Sequence, residues 1–398
     1  MVIFENISYN LFNKWYKDKK IICFGGGGTL KLFFEIHKNN IFLLNQISFI
    51  TNNDANLDEH SIRVGEFDYP IISLSNLLKK GIDRNEYVML LLVSNQNLFP
   101  VLEQLDHIKC LDQFICLYGI GALMWENRMF MPSYPPAPLL PKPNKKYQIP
   151  PVIHYCWFGD GKMSDLNYQC IASWRRYCPD FKIQFWNEEN YDLSKTPHYV
   201  QEAYKAKKFA FVSDYVRLDI IYKYGGFYLD TDVELFRGLH QLMHYKEVYA
   251  FMEYGEVATG LGFGSVAYSD NVREQREMYE HCLFINEDGS YNMTPCPVYT
   301  NYYFRRKGIS MHNQLQFVDD VLFLPSSFLC PLTPIKSDDG NYNLTLYALE
   351  PNTIAIHKCD NSWKSKKEIQ AFSDKKDEYK AINDRLLKDW KKRYLEET

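Results

Sequence analysis

Residues 209–234 read FAFVSDYVRLDIIYKYGGFYLDTDVE. Phe211, Tyr215, Leu218 and Tyr222 recur at steps of four and three, the spacing of one apolar helix face. Gly225 and Gly226 follow, and glycine accepts the left-handed backbone that ends helices. Beyond them the period shortens to two. Phe227, Leu229, Thr231 and Val233 are expected on one side of a strand, and Tyr228, Asp230, Asp232 and Glu234 on the other. The predicted unit is a helix, a glycine turn and a strand that ends in two carboxylates.

Two carboxylates on one side of a strand end repel each other unless a cation lies between them. Hard oxygen donors suit magnesium or manganese, and a phosphate beyond the ion completes the charge balance. On the helix, Asp214 and Arg217 are three apart and share a face. Arginine there can grip a phosphate bidentately, or pair with Asp214. Read alone, D-x-D is equally a solvated strand end, and Asp214–Arg217 an ordinary ion pair.

The longer string S-D-x-x-R-x-x-x-I-Y-x-Y-G-G-x-Y-L-D-x-D, from Ser213 to Asp232, is more specific than either piece. It resembles the DXD-type sugar transferases of glycosyltransferase family 32 and is similar to the glucosyltransferase domains of large bacterial toxins. The resemblance implies a GT-A fold, a nucleotide-sugar donor and a Mn2+ or Mg2+ ion on the diphosphate. It places Asp230 at the ribose or sugar and the metal, Asp232 on the metal, and Asp214 and Arg217 at the donor's sugar hydroxyls and phosphate. Asp214, Arg217 and Asp230 are the catalytic candidates. Ser213 and Tyr228 join them as substrate-binding candidates.

Composition sets bounds. A chain of 398 residues can hold two domains with their own cores. A net charge of −4 and the lack of a basic motif argue against nucleic acid as a partner. Ten cysteines are scattered without a C-x-x-C pair, which suits reduced thiols in a cytoplasmic protein. The first twenty residues lack a signal-peptide layout, and no apolar run reaches bilayer-spanning length. An enzyme of this kind that makes a membrane-linked glycan would meet its acceptor at the inner face of the membrane. Homo-oligomers are compatible with all of this.

Residues 1–131 are expected to form a Rossmann-like α/β domain. Ile21–Phe24 is a short apolar run, Gly25 to Gly28 a turn, and Leu30, Phe33 and Phe34 one face of the next helix. Strands are predicted at 47–50, 87–93 and 114–118, and helices at 74–80 and 98–105, an alternation that implies a parallel sheet. The dinucleotide fingerprint is broken, because its third glycine falls on Leu30. The second strand ends in Thr51, Asn52 and Asn53, with Asp54 one step late for a ribose-binding acid. A structural, acceptor-binding or assembly role fits better than an NAD-linked oxidoreductase.

Eight of the chain's 18 prolines lie between residues 132 and 151. Proline lacks an amide donor and fixes its backbone, so 132–150 is assigned as an extended linker. A second domain is expected over 151–365. Val152–Cys156 is its first strand, and Trp157 follows at the strand's end. The resemblance places Trp157 against the nucleotide base; without it, a core tryptophan is the plainer reading. His154 reads as a core histidine. Lys182–Trp186 is a second strand, after which Asn187 and Glu188 either reach a cleft or turn the chain. Gly260, Gly262 and Gly264 suggest a glycine-rich return beneath the acceptor. Cys296–Pro297 stands where the resembled family often has Gly-Pro.

Thr353–His357 is the last predicted strand, followed by Asn361, Ser362 and Trp363. By the resemblance, His357 or Ser362 completes the metal shell, and Ser362 and Trp363 cover the diphosphate. The tail, 366–398, has a helical apolar face of Ile369, Phe372, Tyr379, Ile382, Leu386, Leu387 and Trp390. It is expected to dock on a domain, with peripheral contact to an anionic membrane as the other use of such a face. The combined expectation is a metal-dependent hexosyltransferase moving sugar from a nucleotide donor, UDP-linked by preference, to a glycan or lipid-linked oligosaccharide acceptor in bacterial surface polysaccharide synthesis. Retention of configuration comes from the resemblance alone. A catalytically silent sugar- or nucleotide-binding scaffold is the alternative.

Overall fold

The computed structural model describes residues 1–5, 12, 15–53, 60–93, 95–119, 140, 148–252, 255–286, 288–310, 313–335, 344–359 and 376–395. The chain is mixed α/β and divides into two compact units. The first comprises Met1–Pro136, Leu332–Pro351 and Phe372–Thr398; the second comprises Ala137–Pro331 and Asn352–Ala371. The sequence was expected to divide once, near the proline-rich segment, with 151–365 continuous. Instead Leu332–Pro351 and the C-terminal helix belong with the first unit.

The first unit holds a seven-stranded sheet. Its strands run in the order Ile3–Glu5, Ile115–Tyr118, Tyr87–Leu91, Lys20–Phe24, Ile47–Asn52, Phe67–Ser73 and Ser61–Val64. All neighbours are parallel except the last pair. The alternation of strands and helices predicted a parallel sheet, and the strands Lys20–Phe24, Ile47–Asn52, Tyr87–Leu91 and Ile115–Tyr118 lie within two residues of their expected bounds. Ile3–Glu5, Ser61–Val64 and Phe67–Ser73 escaped the sequence reading, since three or four residues, or a strand containing Pro70, carry little periodic signal. Gly25 has φ 139°, and a Cβ there would fall 2.3 Å from the Leu92 carbonyl oxygen, so the turn after the first long strand needs glycine. Asp54 lies outside the described residues.

The C-terminal helix Lys376–Tyr394 packs Tyr379, Ile382 and Leu386 into the same core as Phe4, Met89, Leu91 and Cys116. Arg385 binds Asp106, with Nη2–Oδ1 at 2.9 Å, and donates to the Val2 carbonyl at 2.7 Å. Tyr379, Ile382, Leu386 and Trp390, four residues of this apolar face, are buried. Ile369 and Phe372 lie outside the described residues. Among the described residues no helix is long and apolar enough to cross a membrane.

The second unit holds a mixed seven-stranded sheet. Its order is Gln316–Val318, Val321–Leu324, Glu247–Ala250, Phe263–Ser265, Gly226–Tyr228, Val152–Cys156 and Lys182–Trp186. The last three are parallel; Phe263–Ser265 runs antiparallel to both of its neighbours. Glu247–Ala250 runs parallel to Val321–Leu324. A separate antiparallel pair joins Val233–Leu235 to Ala355–His357.

The helix Phe209–Tyr224 is central to this unit. Its boundaries follow the sequence, and Gly225 caps it at φ 64°. A single apolar stripe does not describe it. Ten residues, from Phe211 through Ile221, are buried on all sides, Asp214, Arg217 and Asp219 among them. A helix buried all round must satisfy its charges internally. Asp219 does so through Tyr191, Lys223 and Arg276, at 2.7, 2.6 and 3.1 Å.

The expected strand after Gly226 is interrupted. Pairing stops at Tyr228, residues 229–232 form a turn closed by the Val233 amide on the Asp230 carbonyl at 3.1 Å, and a second strand starts at Val233. The predicted two-residue alternation therefore fails: Phe227, Tyr228 and Leu229 are all buried. Asp230 and Asp232 sit on a turn between strands of two different sheets, not at one strand's end.

Candidate active site around the Asp230–Asp232 turn

Four pieces of chain converge on this turn. The Phe209–Tyr224 helix brings Asp214 and Arg217; the turn brings Asp230 and Asp232; the strand Ala355–His357 brings His357; and the segment before Phe263 brings Gly260.

Arg217 is the hub. Its side chain is 4% exposed. Nη2 lies 3.0 Å from Asp214 Oδ1 and 3.5 Å from Asp230 Oδ1. Nε donates to the Ser213 carbonyl at 3.0 Å, and the guanidinium carbon stands 4.9 Å from the Tyr228 ring centre. A buried arginine between two carboxylates is held in one orientation, and a flat ring behind it supplies cation–π support. Tyr228 is 1% exposed, so its contact is with Arg217 and not with solvent. Ser213 Oγ turns back to the Phe209 carbonyl at 3.2 Å.

Asp230 and Asp232 are separated by Thr231, whose hydroxyl accepts from Asn167 Nδ2 at 3.1 Å. Asn167 belongs to the capping box with Ser164 that starts the helix Asp165–Tyr177. The turn is pinned again where the Asp230 amide donates to the Gly260 carbonyl at 3.0 Å, and the Lys358 amide to the Asp232 carbonyl at 2.9 Å. Asp232 Oδ1 faces His357 Nε2 at 3.3 Å. One donor atom from each of Asp230, Asp232 and His357 falls within 4.8 Å of the others. Two carboxylate oxygens and an imidazole nitrogen at that spacing suit Mn2+, which takes both donor types, and accommodate Mg2+ through the oxygens.

The electrostatics of the cluster follow from burial and from its crowded carboxylates. Burial pushes Asp214 up to about 6, against the pull of Arg217. Burial also raises Asp230, with Arg217 opposing and Asp232 adding to the rise. Burial by itself would lower His357, but the Asp232 charge, and then Cys359, hold it well above its ordinary value. His357 Nδ1 meets Cys359 Sγ at 3.4 Å.

Two residues near Arg217 were placed elsewhere, or not placed, by the sequence. Gly260 was expected beneath an acceptor. A Cβ on it would lie 2.4 Å from Asp230 Oδ2 and 2.7 Å from Arg217 Nη1, so the missing side chain makes room for the charged cluster itself. Cys296 Sγ stands 3.7 Å from Arg217 Nη1, at the first turn of the helix Cys296–Arg306. Cys359 escaped the reading altogether, because a single cysteine two residues past a strand carries no pattern. Lys358, the residue after His357, forms an ion pair with Glu234 at 2.7 Å.

Other candidates lie outside this set. Trp157 follows the strand Val152–Cys156 and is partly exposed; its indole N–H donates to the Gly161 carbonyl at 2.5 Å. His154 is a core histidine, 3% exposed. Its Nδ1 accepts from Trp186 Nε1 at 3.0 Å and its Nε2 donates to the Gly225 carbonyl at 3.0 Å. Asn187 and Glu188 turn the chain: Asn187 Oδ1 accepts from the Glu189 amide, and Glu188 Oε1 from the Gly159 amide. Asn361, Ser362 and Trp363 lie outside the described residues.

Comparison with known proteins adds independent findings. Residues 164–249 match the family described as "glycosyltransferase sugar-binding region containing DXD motif". The match spans Asn167, Asp214, Arg217, Asp230 and Asp232. Inositol phosphoceramide mannosyltransferase 3 of Schizosaccharomyces pombe is 29% identical over 113 residues, which is 26% of this chain and 29% of that protein's length. The chain thus spans less than a third of that relative. Among solved structures, the PaToxG glycosyltransferase is 16% identical, covers 44% of this chain and 71% of its own, and has a TM-score of 0.33. Aspartate semialdehyde dehydrogenase II from Vibrio cholerae is 10% identical, covers 77% and 68%, and has a TM-score of 0.19. Neither superposition, at scores this low, identifies a fold or a function. The stretch that matches the sugar-binding region, residues 164–249, includes the Asp230–Asp232 turn.

Proposed function

We propose that the protein is a metal-dependent hexosyltransferase of the family 32 kind, with a GT-A second unit and a Rossmann-like first unit. In this reading it takes sugar from a nucleotide donor, UDP-linked by preference, and passes it to a glycan or lipid-linked acceptor. The observation that carries it is the grouping of Asp230, Asp232 and His357 within 4.8 Å, beside the buried Asp214–Arg217 pair. Similarity to a mannosyltransferase supports a hexose as the transferred group. A cytoplasmic setting, contact with the inner face of a membrane, homo-oligomerisation and a place in bacterial surface polysaccharide synthesis extend the same reading.

Asp230, Asp232 and His357 would hold the ion, with Mn2+ favoured by the imidazole, and Ser362 is a further candidate ligand. A bound divalent ion would neutralise charge on the departing diphosphate. The chain's own residues do the rest. Arg217, immobilised by Asp214, Ser213 and Tyr228, directs a fixed positive charge at phosphate oxygens without reorganising. Asp214 and Asp230 accept hydrogen bonds from sugar or ribose hydroxyls and so orient the donor. Trp157 offers an indole for the base, and Trp363 a cover for the diphosphate. Gly260 leaves space for the Asp230 carboxylate at its working distance from Arg217.

The test is donor hydrolysis by the full chain with a panel of UDP- and GDP-sugars, in Mn2+, Mg2+ or EDTA. Metal-dependent release from one donor, abolished by Asp232→Asn, is the expected result. If no donor is hydrolysed and none binds by calorimetry, the transferase reading is wrong. Binding without hydrolysis, with any acceptor supplied, would favour the silent scaffold. NAD binding in the same calorimeter would favour the oxidoreductase alternative for the first unit.

A further inference from the structure

The helix Asp165–Tyr177 buries one face, made of Asn167, Cys170, Ile171 and Trp174. Cysteine, isoleucine and tryptophan are ordinary core residues. An amide in the same stripe costs free energy unless its polar atoms are hydrogen-bonded, and Asn167 is only 3% exposed. Its partners fix its orientation. The Ser164 amide can only donate, and it meets Asn167 Oδ1 at 2.8 Å; the Ser164 hydroxyl reaches the same oxygen at 2.8 Å. Nδ2 therefore faces the other way, toward Thr231 Oγ1 at 3.1 Å. Capping the helix uses only the Ser164 side of this arrangement. The other side crosses from the helix to the turn that carries Asp230 and Asp232.

The same helix also holds the chain that follows the turn. Trp174 Nε1 donates to the Val233 carbonyl at 2.7 Å, and the Leu235 amide donates to Ser173 Oγ at 2.9 Å. These two bonds anchor the strand Val233–Leu235, in which Val233 lies opposite His357. The Asn167 bond is the one that reaches the turn itself. The turn's backbone is fixed on either side of Thr231, by the Asp230 amide on the Gly260 carbonyl and by the Lys358 amide on the Asp232 carbonyl. Thr231 stands between those points and is the sequence neighbour of both carboxylates. Tilting its peptide units would splay Asp230 and Asp232 apart while the strand stayed in place.

We propose that Asn167 is a positioning residue for the divalent cation, acting through Thr231 to keep the Asp230 and Asp232 carboxylates at the separation that lets them share the ion with His357. This rests on the metal-site reading above. Hydrogen-bond partners standing behind a metal's ligands are commonly worth about 10- to 100-fold in its affinity.

The experiment is Mn2+ titration of the full chain, followed by electron paramagnetic resonance with no donor present. Asn167→Ala and Thr231→Val are each expected to weaken Mn2+ binding about tenfold, and Thr231→Ser, which keeps the hydroxyl, to bind within about twofold of wild type. Asn167→Ala also disturbs the capping box. Thr231→Val leaves the box intact and preserves side-chain shape, so it separates positioning from helix stability, and its urea midpoint is expected to match that of wild type. Asn167→Ala/Thr231→Val is expected to bind no more weakly than the worse single variant, because both changes break one bond. Thr231→Val that binds Mn2+ as wild type does, while Asp232→Asn does not, would reduce Asn167 to a helix cap and overturn the proposal with the metal site intact. A double variant about 100-fold weaker than wild type would mean that the two residues act independently, and would overturn it too. Wild type that binds no Mn2+ would instead remove the metal-site reading, and the proposal with it.

Discussion

His357 Nε2 stands 3.3 Å from Asp232 Oδ1 because the strand Ala355–His357 pairs antiparallel with Val233–Leu235, with His357 opposite Val233. A one-residue slip would turn the imidazole to the other face of the ribbon. Strand register thus sets the third donor of the candidate metal site. Asp232→Asn is expected to weaken Mn2+ binding by at least about tenfold and to lower metal-dependent turnover in proportion. Manganese titration followed by electron paramagnetic resonance, with no substrate present, checks the first half, and the donor assay checks the second.

Arg217 offers a test that separates charge from geometry. Arg217→Lys keeps the charge but loses the planar fork that spans Asp214 and Asp230, and kcat is expected to fall about 100-fold. Arg217→Ala leaves two carboxylates without their cation, one of them deeply buried. A stability loss of about 3–5 kcal/mol in urea unfolding is expected. Equal unfolding midpoints for Ala and wild type would contradict the hub role.

Gly260→Ala addresses the packing of the site without altering any charge. The new Cβ would meet Asp230 Oδ2 at 2.4 Å and Arg217 Nη1 at 2.7 Å, so one of them must move. A displacement of that size is expected to cost about 100-fold in kcat while the protein stays folded. Turnover within about twofold of wild type would show that the turn does not need this clearance.

Asp214 predicts a pH dependence. Burial raises it to about 6, so it ionises between mildly acidic and neutral pH. If the ionised carboxylate accepts a sugar hydroxyl, turnover rises as pH increases through about 6, and Asp214→Asn removes that limb along with most of the activity. The stability effect has the opposite sign. A carboxyl whose folded-state value is raised contributes stability that is complete below its unfolded value, near 3.8, and is lost as pH rises through about 6. Urea unfolding of wild type and Asp214→Asn from mildly acidic to mildly alkaline pH reads this difference directly.

His154 provides the contrasting case. Burial lowers it to about 4, so it is neutral in the folded protein and its contribution is present above the unfolded value. That contribution is lost as pH falls toward about 4. His154→Phe orphans the Trp186 N–H and the Gly225 carbonyl and is expected to cost about 1–3 kcal/mol without changing the pH profile of turnover. A changed profile with intact stability would move His154 into the site.

Much of the site was legible in the sequence, because the signals were local. Periodicity located the Phe209–Tyr224 helix and Gly225 its end, and the resemblance of the string Ser213–Asp232 named Asp214, Arg217, Asp230 and Asp232, which the fold gathers there. The strand Val152–Cys156 and the core role of His154 were equally readable from a short apolar run. Other features depend on partners far away in sequence. The strand predicted through Asp232 breaks at Tyr228, because the next segment pairs with Ala355–His357 instead of continuing along its own sheet. Nothing within 229–232 announces that choice.

The same division applies to the whole chain. Local backbone preference and hydrophobic spacing determined the α/β class and the glycine turns, since each depends on residues within a few positions of one another. Tertiary structure alone decided that Gly260 leaves space beside Asp230, that Cys296 reaches Arg217, and that the C-terminal helix belongs with the first unit. Those outcomes follow from strand register and from the close packing of buried side chains, which bring together residues that no sequence window contains.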